Sequence, residues 1–200
     1  MSDTKYVDFY GIDSLLTEDE KKVRDTVRAF VDHECMPIIA EHFDKGTFPM
    51  EMIPRMAAMK LFGSHVDGYG CRKLSHMEYG LICRELGRCD SGLRAMFSVQ
   101  NSLAMFPVFK FGSAEQREKW LPKMARGETI GCFGLSEPEF GSNPAGMITS
   151  ARRKGDQYVL NGQKMWITNG TIADAHVDSG TGDHRDSGLP LKKPCNPSQL

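Results

Sequence analysis

Up to Gly127, apolar residues recur every three or four positions, and after Glu128 this period gives way to alternation. The first regime reads as helix. Thr17 to Glu20 has the form of a capping box, and Val23, Val27, Phe30 and Val31 follow on one face. The stripe resumes from Met36 to His42, breaks at Gly46 to Pro49, and continues through Met50, Met52, Ile53, Met56 and Met59. Those methionines read as gap-filling core rather than a sulfur site. Gly63 to Gly70 reads as loop, and Tyr79, Ile82, Cys83 and Leu86 mark a helix over His76 to Leu86. Asp90 and Ser91 can cap a long apolar helix, Leu93 to Phe109, with a kink expected at Pro107. A second capping box, Ser113 to Gln116, leads a helix through Trp120, Leu121 and Met124 that stops near Gly127.

Beyond Glu128 the pattern predicts strands at Thr129–Leu135, Ile148–Arg153, Gln157–Leu160 and Lys164–Thr168. Lys154-Gly155-Asp156 marks a hairpin turn, and Asn161-Gly162 a turn before the last strand. Helices followed by strands imply an α+β fold: a helical N-terminal domain, then the beginning of an antiparallel β-domain. The expected division is residues 1–127, 128–175 and 176–200. The last segment, His176 to Leu200, is rich in Gly, Ser, Asp and Pro and reads as a divergent, disordered or loosely attached tail.

Charge and composition narrow the function classes. Lys plus Arg number 25 against 26 Asp plus Glu, a net charge of −1, which disfavours a broad nucleic-acid surface. No apolar run approaches the roughly eighteen residues of a membrane span. The opening MSDTKYVDFYG resembles neither a signal peptide nor a transit sequence, so the cytosol is the expected compartment, or the mitochondrial matrix in a eukaryote. Six cysteines, at 35, 71, 83, 89, 132 and 195, form no CxxC pair, and Cys83 and Cys89 lie near His76 without a zinc spacing. They read as reduced structural thiols, and no metal is expected.

Candidate chemistry concentrates in two segments. Gly131 to Asn143, GCFGLSEPEFGSN, combines small residues that let backbone approach a flat ligand with hydroxyls at Ser136 and Ser142. Lys164 to Asn169, KMWITN, adds the broad face of Trp166 and the hydroxyl of Thr168. Taken alone, the serines are ordinary turn residues and Arg94 an ordinary snorkelling arginine. Glu137 and Glu139, on either side of Pro138, read as structural. No GxGxxG follows a strand and no GxxxxGK[ST] occurs, which argues against a nicotinamide or P-loop site.

The two segments, in this order, resemble the flavin-binding signature of the acyl-CoA dehydrogenases. GSHVDGYG (63–70), CRELGRCDSGLRAMFSVQNSLAM (83–105) and the run from Phe111 to Met147 extend the likeness, closest to the glutaryl-CoA dehydrogenase subgroup, from about Tyr6 to Ala175. The resemblance implies FAD as cofactor, an acyl-CoA as substrate and an electron-transfer flavoprotein as acceptor. It implies α,β-dehydrogenation, and in the glutaryl subgroup decarboxylation to crotonyl-CoA. Phe133, Gly134, Leu135, Ser136, Gly141 and Ser142 would line the flavin and thioester, with Ser136 near the pyrimidine ring. Trp166 would pack beside the ring, with Ile167 next to it and Thr168 bonding near its reactive nitrogen. Ser142 would also reach the acyl-CoA. Arg94 would face a distal carboxylate, with Ala95 where close relatives carry serine.

The resemblance implies a catalytic glutamate from a C-terminal helical bundle, and nothing here matches it; the bundle is expected to be absent and no catalytic residue is assigned in this chain. After TNGTIADA relatives continue with an apolar strand, whereas HVDSGTGDH stands here. The expectation is a truncated or frame-shifted product, inactive and poorly stable alone, whose full-length parent is a homo-oligomer. Two alternatives stay open: a non-catalytic fragment or binding module of the same fold, and a related flavin oxidase or monooxygenase.

Overall fold

The computed structural model describes residues 8–182 and 191–192. Helix α1 (Glu18–Phe30) starts at a complete capping box: the Glu20 amide donates to Thr17 Oγ1 (3.3 Å) and the Thr17 amide to Glu20 Oε2 (2.8 Å). Ser75 and Ser113 open α4 (His76–Cys89) and α7 (Ala114–Ala125) in the same way. The Ser75 box, with Glu78, had no counterpart in the sequence reading. Asp90 caps α5 (Ser91–Ser98), accepting from the Leu93 amide at 2.8 Å. Helix α2 (Met36–Lys45) ends at left-handed Gly46 (φ 62°), where the amides of Gly46 and Thr47 donate back to Phe43 and His42. Helix α3 (Met52–Ala58) buries Met52, Ile53 and Met56 as expected, while Met50 is exposed.

Two helices run on through π-helical turns. Val31–Cys35 joins α1 to α2, and Val99–Met105 joins α5 to α6 (Phe106–Phe111). Each turn is followed at the second helical position by a proline, Pro37 or Pro107. A proline inside a helix removes one N–H and its ring strikes the carbonyl four residues back. The wider i→i+5 register moves that carbonyl away. Pro107 is therefore met by a widened turn rather than a break.

The core lies between α1, α4, α5 and the π segment, where Phe62, Ile82, Leu86, Phe97, Met105 and Leu121 are inaccessible to solvent. Glu85, also buried, binds Arg28 through two hydrogen bonds (2.9 and 3.1 Å) and further meets Arg84 and Arg88. Burial pushes its carboxyl up, but the guanidinium of Arg28 and then that of Arg84 outweigh it, leaving the pKa lowered.

The strands are β1 (Gly131–Gly134), β2 (Ser150–Lys154), β3 (Gln157–Asn161), β4 (Ala175–Asp178), β5 (Thr181–Gly182) and β6 (Leu191–Lys192). β2 and β3 form the antiparallel hairpin expected around Gly155 (φ 67°). β1 pairs β4 in parallel, in register Gly131 with Ala175, and β2 pairs β5 in parallel; β4 and β6 are antiparallel. The sheets are thus mixed. The parallel pairing of β1 and β4 is feasible because residues 135–174 supply the long crossover it needs.

Two sequence expectations change. Lys164–Thr168 forms no strand: Trp166 (φ 59°) and Asn169 (φ 67°) are left-handed, which turns the chain instead of extending it. β4 crosses the boundary drawn at residue 176, because Ala175 and Val177, alternate residues, are both buried against the core. Of the segment expected to be loosely attached, residues 183–190 and 193–200 lie outside the described residues.

Candidate functional site

A fully buried side chain fixes β1 on the helical layer. Gln100 Nε2 donates to the carbonyls of Thr129 (2.9 Å) and Met124 (3.3 Å), and its Oε1 accepts from the Gly131 amide (2.8 Å). Gly131 has no room for a larger residue, since a Cβ there would lie 2.4 Å from that of Ala104. The end of β1 is similarly tight: a Cβ on Gly134 would sit 2.3 Å from Asp178 Oδ1. Past it the chain turns back at Pro138-Glu139, where Glu137 and Phe140 exchange backbone hydrogen bonds of 3.2 and 3.1 Å.

The 164–170 segment docks onto the same strand end. The Met165 amide donates to the Ser136 carbonyl (2.9 Å), Lys164 Nζ to the Leu135 carbonyl (3.1 Å), and Asn169 Nδ2 to the Gly131 carbonyl (3.1 Å). Between the two segments opens a groove of about 180 Å³. Phe133, Leu135 and Ser136 form one wall, Trp166, Ile167 and Thr168 the other, and Val99 and Leu103 of the π segment the floor. Trp166 is 86% exposed, an aromatic face turned to water from a strained backbone position.

Six of the residues singled out in the sequence therefore share one groove. Gly134 stands beneath it, buried. Gly141 and Ser142 do not line it; they follow Phe140 on the exposed loop. Among the described residues, none beyond its chain neighbours lies within 4 Å of where a Cβ on Gly141 would be. Arg94 and Ala95 lie on α5, upstream of the groove floor, and do not line it either. Ala95 is one turn from Val99 on the same face. Arg94 is exposed, forms no ion pair among the described residues, and packs its stem beside Gly87.

Sequence reasoning missed the floor and the support. Val99 and Leu103 were read only as parts of an apolar helix, although that helix is apolar on more faces than one core can cover. Lys164 was assigned to a strand. In the structure its ammonium meets Glu137 Oε1 at 2.9 Å, with both side chains largely buried. Burial pushes the Glu137 carboxyl up, but hydrogen bonds from Thr149, the Ile148 amide and Lys164 outweigh this and bring it down to about 2. The five described cysteines are free; burial pushes all five thiols up, Cys35 and Cys132 to about 12 and Cys71 to about 11.

The groove's walls are the two segments that carry the resemblance, and comparison with known proteins shows the family. The sequence model of the acyl-CoA dehydrogenase N-terminal domain matches residues 17–128, and that of the middle domain matches residues 132–189. The chain belongs to the acyl-CoA dehydrogenase family. The middle-domain match runs past Ala175, where the sequence reading had ended the likeness. A short-chain specific acyl-CoA dehydrogenase of Mus musculus mitochondria is 37% identical over 166 residues, 81% of this chain and 40% of that protein. A probable acyl-CoA dehydrogenase of Bacillus subtilis is 36% identical over 174 residues, 86% of this chain and 46% of its own. A glutaryl-CoA dehydrogenase from Mycobacterium smegmatis, solved in complex with FADH2, superposes with a TM-score of 0.88 at 45% identity, covering 94% of this chain and 48% of that one. The chain thus spans less than half the length of these family members.

Proposed function

We propose that this chain supplies the flavin-facing groove and part of the acyl chamber of an FAD-dependent acyl-CoA dehydrogenase. The observation that carries the reading is the convergence of Phe133–Ser136 and Trp166–Thr168, distant in sequence, on one groove with an exposed, strained tryptophan. The residues fit a flavin. The walls are apolar with hydroxyls at Ser136 and Thr168, as a ring with polar edges requires. A groove of about 180 Å³ suits the ring system and not the whole dinucleotide, since ligand pockets typically run to about 300–1,000 Å³. Gly141, whose missing side chain no neighbour demands, and the adjacent Ser142 would leave backbone and hydroxyl free to approach the ligand.

When bound, FAD supplies the two-electron oxidant for removing the α and β hydrogens of an acyl thioester, with an electron-transfer flavoprotein as eventual acceptor. The chain's own residues bind and orient. Trp166 would pack against the ring, Thr168 and Ser136 would bond its polar edge, and the floor of Val99 and Leu103 would exclude water. We assign no catalytic base among the described residues.

For the acyl group we propose glutaryl-CoA, oxidised and decarboxylated to crotonyl-CoA. Supporting this are the 45% identity to the Mycobacterium smegmatis protein and an Arg94 left without an ionic partner among the described residues. The 37% identity to a short-chain enzyme favours a second reading, an acyl chain without a distal carboxylate.

Two measurements test the proposal. Purified protein should release FAD on denaturation, and in a form of the protein that also carries a catalytic base, anaerobic addition of an acyl-CoA should bleach the flavin absorbance. A colourless protein that takes up no FAD would refute the flavin assignment. Rapid reoxidation by molecular oxygen during turnover would favour an oxidase on the same fold.

A further inference from the structure

The buried pair behind the groove does more than close a loop. Glu137 is 4% exposed, between an exposed Leu135 and an exposed Pro138-Glu139 tip. Its carboxylate accepts from the amides of Ile148 (2.7 Å) and Thr149 (2.9 Å) and from Lys164 Nζ (2.9 Å). Lys164, 11% exposed in its side chain, donates in addition to the Leu135 carbonyl. One ion pair therefore joins the end of β1, the loop after it, the approach to β2 and the segment that precedes Trp166.

A buried ion pair is poor evidence of stabilisation, because desolvation offsets most of the attraction and an apolar pair can pack as well. What it supplies is a fixed direction, since a carboxylate with three donors tolerates little displacement. The element just beyond the pair needs such fixing. Trp166 adopts φ 59°, a region open to glycine and disfavoured for a bulky side chain, and the residue is 86% exposed. Strain of this kind persists only where the surroundings over-determine the backbone. The immediate surroundings are the Met165 amide bond to Ser136 and, one residue earlier, Lys164.

We infer that Glu137 and Lys164 are positioning residues for the groove: their ion pair locks the Trp166–Thr168 wall against the Phe133–Ser136 wall and holds Trp166 in its left-handed conformation. The inference rests on the flavin reading for its purpose, but its mechanical part does not.

The test compares wild type with Glu137→Gln, which keeps the shape, with Lys164→Met, and with the double variant. Backbone amide exchange is followed at residues 135–136 and 164–168, with the buried amides of α4 and α5 as reference. FAD affinity is measured by flavin fluorescence. Each single variant should speed exchange in both walls and weaken FAD binding by about tenfold or more, with α4 and α5 unchanged. The double variant should be no worse than the singles, because the pair acts as a unit. Unchanged wall exchange, or faster exchange spread evenly into α4 and α5, would overturn the inference. Should wild type bind no FAD, the functional proposal fails, and the exchange experiment still decides whether the pair is the lock.

Discussion

Trp166 shows how much a single residue's surroundings decide. In the sequence it reads as one alternating position of a strand, flanked by Met165 and Ile167. Its positive φ follows directly on two residues, Lys164 and Met165, that donate to the carbonyls of Leu135 and Ser136, some thirty positions earlier, which no local pattern reveals. Glu137 reads as structural in the sequence, but its partner Lys164 is not legible there, for the same reason. Arg94 carries the residue-scale prediction. A glutaryl carboxylate entering an apolar acyl chamber needs a cation, and leaving it unpaired costs on the order of 3–5 kcal/mol. In a form of the protein that turns over acyl-CoA, Arg94→Met should lower kcat/KM for glutaryl-CoA by about a hundredfold or more. Butyryl-CoA should change little. Equal losses on both substrates would mean that Arg94 supports the fold, and would favour the short-chain reading.

Elements were legible where their signals are local. The Thr17 and Ser113 capping boxes, the Gly155 hairpin and the helical stripes each lie within a few residues of sequence, and the structure has them all. Pairings across long stretches were not legible. β4 is only four residues long, and its partner β1 stands across the whole 135–174 crossover. Its polar neighbours His176 and Asp178 made the segment look like loop, although Ala175 and Val177 fill the core. The junction of helices and strands rests on Gln100, whose three hydrogen bonds cross from the π segment to the end of α7, the turn after it and β1. Gln100→Leu keeps the volume but removes the side-chain partner of the buried Gly131 amide and of the Thr129 carbonyl, while the Met124 carbonyl keeps the Gly127 amide. At about 1–3 kcal/mol for each unsatisfied group, less what relaxation recovers, the melting temperature should fall by several degrees. An unchanged Tm by calorimetry would show that water or a neighbour satisfies those groups.

At the scale of the whole molecule, the α+β order and the family were legible because wording and spacing of two motifs agree. None of the described helices is long and apolar enough to cross a bilayer. The groove's floor was not legible, because Val99 and Leu103 become neighbours of the motifs only when β1 docks on the π segment. The central claim is that the two motif segments face one flavin. Photolabelling with an azido analogue of FAD, followed by peptide mapping, tests it most directly. The account predicts label in the peptides carrying Phe133–Ser136 and Trp166–Thr168, suppressed by excess FAD and lost with Trp166→Ala. Label confined to other peptides, or label that excess FAD does not displace, would contradict it.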